Sequence, residues 1–237
     1  MPSDQTFWFN YQFKFPDGSE ATFEVRMDAE TGVSEDLPPQ DLPEWTLLSK
    51  HKCSHCPLNT SEHTHCPAAV SIVDVVDYFH TVSSIQPVEV LVTSPERQTS
   101  KEGVSLPAAI SALFGARFAG SGCPITAKFQ PMVRYHLPFS SYEESTYRIV
   151  SMHALAQFLR MRDGLEPDWE LTELSKMFQD VNTLNLDFCR RLRSLEVNDS
   201  TMNALTGLDS MLQMVDITMD DQMLEDLKKL FRAHLEA

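Results

Sequence analysis

Basic residues are scarce in this sequence. Its 237 residues include 19 lysines and arginines against 34 aspartates and glutamates, a formal charge of −15. A nucleic-acid surface needs clustered cations to displace counterions from phosphates, so the expectation is no nucleic-acid binding. The one local concentration, Arg190, Arg191 and Arg193, is flanked by Asp187 and Glu196 and reads as a solvated helix face. Long apolar runs are missing as well. The most apolar stretch, residues 68–79, is interrupted by Asp74 and Asp77 and falls short of a membrane-spanning length. The first residues, Met1-Pro-Ser-Asp-Gln, have neither the basic cluster nor the apolar core of a secretory signal. The expected location is therefore cytoplasmic, with no membrane attachment. With only 8 glycines there is no phosphate-cradling loop, dinucleotide fingerprint or nucleophile elbow. Internal repeats and low-complexity tracts are lacking too. Cysteines number five, and in a reducing compartment an odd set of that size reads as metal ligands or free thiols, not as a disulfide framework.

What is present describes an ordinary globular chain. A hydrophobic content of 42% with 22% charged residues allows one large domain or two small ones. Residues 7–28 alternate with a period of two: Phe7, Phe9, Tyr11, Phe13 and Phe15 on one face, then Phe23, Val25 and Met27 after the turn signal Pro16-Asp17-Gly18-Ser19. This predicts a β-hairpin with an aromatic face packed on helices. Residues 29–44 are acidic and proline-rich and predict an irregular connection. A third strand is expected over residues 45–49, a helix over 67–83, paired strands over 88–93 and 96–104, and a helix over 106–118. Ser140 and Ser141 precede Glu143 and Glu144 by three residues, the capping-box spacing, and open a helix to about residue 162 closed by Asp163-Gly164. Pro167 suits a first helical turn, and an apolar stripe from Leu171 to Leu195 marks the long helix that follows. Two further helices are expected over 200–214 and 220–235, the last with acids first and Lys228, Lys229 and Arg232 later, as the helix dipole favours. The late methionines fit bundle core. The fold class is thus α+β: a small antiparallel sheet with helices in residues 1–130, then a helical region in 131–237, the two separate or fused.

The stretch with chemistry in it runs from Cys53 to Cys66. Cys53-Ser-His55-Cys56 is a pair spaced to turn two sulfurs toward one point, and Cys66 follows after nine residues. Cys123, in the tight loop Ser121-Gly122-Cys123-Pro124, completes a four-cysteine set. Should Cys123 not serve, His63 or His65 is the reserve, and the adjacency of His65 to Cys66 favours His63. Cys56, Cys66 and Cys123 each precede a proline. Proline suits the first position of a helix, which leaves the cysteine at the N-cap, where backbone N–H groups favour thiolate and can bond to a ligating sulfur. Zinc is the first expectation, held by Cys53, Cys56, Cys66 and Cys123 as a closed, structural site. An iron–sulfur cluster is the alternative, kept open by the cysteine–proline pairs. Cys189, beside the apolar stripe, reads as a core or boundary thiol.

Outside this cluster the densest polar group is Arg134, His136, Glu144, Arg148 and His153. A histidine base with an arginine to hold an anion would suit a hydrolase or transferase. The competing reading is an intrahelical Glu144–Arg148 pair with satisfied histidines. The leading expectation is a noncatalytic metal-binding protein whose helical half meets a protein partner, with an iron–sulfur redox or sensor protein and an enzyme using the Arg134–His153 group as rivals.

Overall fold

The alternating N-terminal residues form a hairpin, β1 (Thr6–Lys14) and β2 (Glu20–Asp28), in the computed structural model; the structure describes residues 6–35, 41–80, 82, 87–195 and 221–236. Phe7 opposes Met27, Phe9 opposes Val25, Tyr11 opposes Phe23 and Phe13 opposes Ala21, all buried on the same face. At the turn, Gly18 takes a φ of +84°, and the Ser19 N–H donates to the Asp17 carboxylate at 2.9 Å. β3 (Pro87–Thr93) pairs with β1, and β4 (Gln98–Ser105) pairs with β3, so the antiparallel sheet runs β2-β1-β3-β4. The chain is α+β.

The connection from β2 to β3 crosses the covered face of the sheet. The third strand expected at Trp45 is instead a 3-10 turn, Glu44–Thr46. Pro43 precedes it with a fixed φ of −66°, and the Thr46 hydroxyl donates back to the Pro43 carbonyl at 2.7 Å, which closes the backbone into a turn before it can extend. The expected helix over 67–83 is broken into α1 (Pro67–Val70) and α2 (Val73–Phe79). Ser71 donates its hydroxyl to the Ala68 carbonyl at 3.0 Å and Ile72 leaves helical φ at −123°, so the regular ladder stops there. α3 (Leu106–Gly120) starts with Pro107 in its first turn and buries Leu106, Ile110, Leu113 and Phe114 against the sheet. Its last residue has no room for a side chain: a Cβ on Gly120 would lie 2.4 Å from the Met27 terminal methyl.

After the short α4 (Gln130–Arg134), α5 (Tyr142–Arg162) opens with the capping box read in the sequence, Ser141 and Glu144 bonding each other's backbone N–H. Gly164 closes it at φ +76°. α6 (Thr172–Arg193) does not use Pro167 in its first turn. Leu171 enters it in the left-handed region, and the Asp168 carboxylate accepts the N–H groups of Thr172 and Glu173 at 3.1 and 2.6 Å, doing the work of a cap. The helix expected over 200–214 lies outside the described residues. The final one is divided at Phe231 into α7 (Asp221–Leu230) and α8 (Arg232–Leu235). Among the described residues no helix is long and apolar enough to cross a membrane.

Two apolar clusters result. The larger joins the sheet, α1, α2 and α3 with Leu184, Phe188 and Leu192 of α6; the smaller joins Ile149 of α5 to Leu174, Met177, Phe178 and Val181 of α6. α6 therefore crosses from one core to the other, and its far half lies against the cysteine segment.

Candidate metal centre

Backbone bonds close the cysteine segment on itself. The Cys66 N–H donates to the Thr46 carbonyl at 2.8 Å and the Leu48 N–H to the Thr64 carbonyl at 2.9 Å, with Leu47 bridging His65. Within the loop the Cys56 N–H donates to the Cys53 carbonyl at 3.0 Å, a tight turn across the two-residue spacer. Cys66 is the N-cap of α1 with Pro67 at its first position, as the cysteine–proline spacing predicts. Its side chain makes no capping hydrogen bond, but the N–H groups of Ala69 and Ala68 lie near enough to favour its thiolate. No helix follows Pro57. Cys123 follows α3 after Gly122, whose φ is +84°; its N–H donates to the Ser121 hydroxyl and its carbonyl accepts from Ala127.

All four cysteines lie in or against the larger core. Cys53, Cys66 and Cys123 are buried and Cys56 is partly so, all in the larger core. Burial pushes the Cys53 thiol up to about 12, and the charges of Cys66, Cys56, Asp187 and Cys123 add to the rise, which places all three other thiols within electrostatic reach of it. Burial also raises Cys66, opposed by the Arg191 cation and by the Ala69 and Ala68 N–H groups. Among the described residues no three His, Cys, Asp or Glu side chains form a group that could hold a metal ion. A tetrahedral zinc site with Zn–S near 2.3 Å asks for sulfurs about 3.8 Å apart. A Cys53 thiol with a pKa that high is neutral at pH 7, so closure would displace protons.

α6 holds this segment from the side. Asp187 accepts from the Ser54 N–H and hydroxyl at 2.8 and 3.0 Å. One turn later Arg191, 1% exposed, donates to the carbonyls of Trp45, Leu47 and His51 at 2.5, 3.0 and 2.5 Å. The arginine trio is thus not a uniform solvated face. Arg190 is exposed and pairs with Asp187, while Arg191 is buried with no carboxylate paired to it among the described residues. A signal for this was present: Asp187 and Arg191 sit three and seven residues after Leu184, squarely on the apolar stripe, where a charge needs a specific partner.

The reserve histidines are placed differently from the cysteines. His63 is exposed, and His65 is engaged through Nδ1 with the Thr46 hydroxyl at 2.7 Å. His55, inside the Cys53–Cys56 spacer, has both ring nitrogens buried without a hydrogen-bond partner among the described residues. Cys189 packs at the edge of the core.

The Arg134–His153 group separates into distinct contacts. Arg134 lies over the Phe7 ring at 5.0 Å. Glu144 belongs to the capping box, and buried His153 faces the Asp168 carboxylate at 3.4 Å. His136 and Arg148 line a common cavity. His136 bonds the Tyr11 hydroxyl, and Arg148 donates to the carbonyls of Met132 and Tyr135 at 3.1 and 2.5 Å. Enclosure of the His136 ring, with Arg148 nearby, lowers its pKa to about 3, so it is a neutral imidazole at pH 7.

An α+β domain whose four-stranded antiparallel sheet packs one face on helices is the class this geometry defines. Residues 9–232 match the family described as a domain of unknown function, DUF6901, and the chain belongs to that family. No curated protein and no solved structure matches it.

Proposed function

We propose that this is a noncatalytic metal-binding protein in which Cys53, Cys56, Cys66 and Cys123 hold one structural zinc. The observation that carries the reading is Arg191. A guanidinium buried in an apolar core with no carboxylate paired to it among the described residues is costly, and three carbonyls solvate it without neutralising it. Its charge acts on Cys66. Four thiolates around a divalent ion have a net charge of about −2, and that anionic centre is the counter-charge the buried arginine otherwise wants. The metal's binding energy then becomes stability of the core that joins the 46–66 loop to the end of α3. In this reading the helical half meets a protein partner through the exposed Leu155, Phe158, Leu159 and Met161 of α5. The chain's charge of −15 selects a segment whose apolar side chains are flanked by basic ones.

The test is metal analysis with an ultraviolet–visible spectrum on protein purified without oxygen, beside Cys53→Ser and Cys123→Ser variants. One zinc per chain, colourless and lost in both variants, supports the proposal. Loss in Cys53→Ser alone transfers the fourth position to His55, which a His55→Ala variant checks. Iron with sulfide and a broad visible absorbance replaces zinc by a cluster and makes redox chemistry the role. Folded protein without metal overturns the centre altogether.

A further inference from the structure

A cleft of about 390 Å³ opens between α3, α5 and α6, with Lys101 and Val104 of β4 at its wall and no cysteine in its lining. Its volume lies within the range of small-molecule sites, and at ordinary packing densities it takes roughly a dozen non-hydrogen atoms. Its walls are apolar, with Ala112, Ala116, Phe118, Val133, Ile149 and Val181 among them. Its polar lining consists of the hydroxyls of Ser111, Thr126, Ser140 and Ser145, the His136 ring, the Asn185 amide and two cations, Lys101 and Arg148. Asn185 is 2% exposed, and its Nδ2 is buried with no hydrogen-bond partner among the described residues, an unmet donor in an apolar wall. Arg148 spends only Nη2 on protein carbonyls, and Lys101 stands over the Phe139 ring at 5.7 Å. Among the described residues no carboxylate forms an ion pair with either cation. Phe139 itself is held at φ +61°, a strained conformation for an aromatic residue, at the cleft wall. His136 supplies no charge and already has the Tyr11 hydroxyl as its partner.

An apolar cleft that carries two cations, no carboxylate in its lining and an unmet amide donor calls for a ligand with an apolar body and an anionic head. We propose that it binds a small amphiphilic carboxylate of about ten carbons, the chain lying between α3 and α6 and the carboxylate met by Arg148 and Lys101, with the Asn185 amide as a further donor.

The test is calorimetric titration of the full chain with decanoate and, separately, decanol, which shares the body but lacks the charge. Decanoate is expected to bind at least about tenfold more tightly. Lys101→Gln, at an exposed position, weakens decanoate several-fold and leaves decanol unchanged; Arg148→Gln does the same more strongly. Ala112→Phe, which fills the cleft, abolishes both while the circular dichroism stays that of the parent. Equal affinity for the two probes, no saturable binding by folded protein, or indifference to Lys101→Gln and Arg148→Gln would each overturn the proposal.

Discussion

The Asp187 carboxylate accepts two hydrogen bonds from Ser54, one from its N–H at 2.8 Å and one from its hydroxyl at 3.0 Å, across 133 residues of chain. Burial works against the charge of Asp187, but the two Ser54 donors and Arg190 more than offset it, so its pKa lies below the usual carboxylate value. A depressed folded pKa means stability that is present above the unfolded value, about 3.9, and lost as pH falls through the folded one. Asp187→Asn is expected to cost about 1–3 kcal/mol at pH 7, and the gap from the parent should shrink below about pH 4. Urea denaturation at pH 7 and pH 3 measures both values.

Arg191 has the opposite charge and a deeper position. Removing its side chain as Arg191→Ala takes a donor from three carbonyls, of which Leu47 keeps only the Lys50 N–H, with an expected loss of about 3 kcal/mol. Arg191→Lys should recover little, because one ammonium cannot replace the planar fork that reaches Trp45, Leu47 and His51 together. A shifted denaturation midpoint at unchanged slope is the expected signature.

His136 predicts a second pH dependence, at a higher range. Its folded pKa, near 3, lies below the unfolded value of about 6.5. The fold therefore prefers the neutral ring; its contribution is complete above about pH 6.5 and declines as pH falls toward the folded value. The parent should lose up to about 1.4 kcal/mol per pH unit on this account, and His136→Gln should lose that slope. A denaturation series from pH 7 to pH 4 tests it, with the imidazole proton resonance of His136 unmoved between pH 8 and pH 5.

Gly120 and Met27 should be coupled. A methyl at Gly120 collides with the Met27 terminal methyl and sulfur, at 2.4 and 2.9 Å, so Gly120→Ala is expected to cost about 1–2 kcal/mol by overpacking. With Met27→Ala already in place the same change should cost almost nothing. A double-mutant cycle by thermal denaturation reads the coupling directly.

The parts legible in the sequence are those set by local rules. The hairpin follows from period-two alternation around Gly18, and α5 from the Ser141–Glu144 box and the Asp163-Gly164 stop. The tight turn from Cys53 to Cys56 and the glycine turn before Cys123 were legible as spacing, because a two-residue spacer and a glycine constrain the backbone before any fold exists. What escaped depends on distant contacts. Trp45 lies in a turn because Thr46 bonds back to Pro43 and forward to Cys66, and α6 starts without Pro167 because Asp168 supplies its cap. Arg191 looks like surface beside Arg190 and Arg193, yet three carbonyls far earlier in the chain draw it inside. The Arg134–His153 group was close in sequence, but helical geometry sends Glu144 and His153 to different neighbours and leaves His136 and Arg148 together.

The span between Arg191 and the carbonyls it holds also sets an order of events during synthesis. The His51 carbonyl is made 140 residues before its donor, an interval of roughly 10–30 s at ordinary translation rates. Through that interval the cysteine loop leaves the ribosome without its clamp, its thiols open to whatever metal or oxidant the nascent chain meets. Any product that stops short of α6 stays in that state. The clamp is thus a late checkpoint, and only a chain translated through α6 passes it.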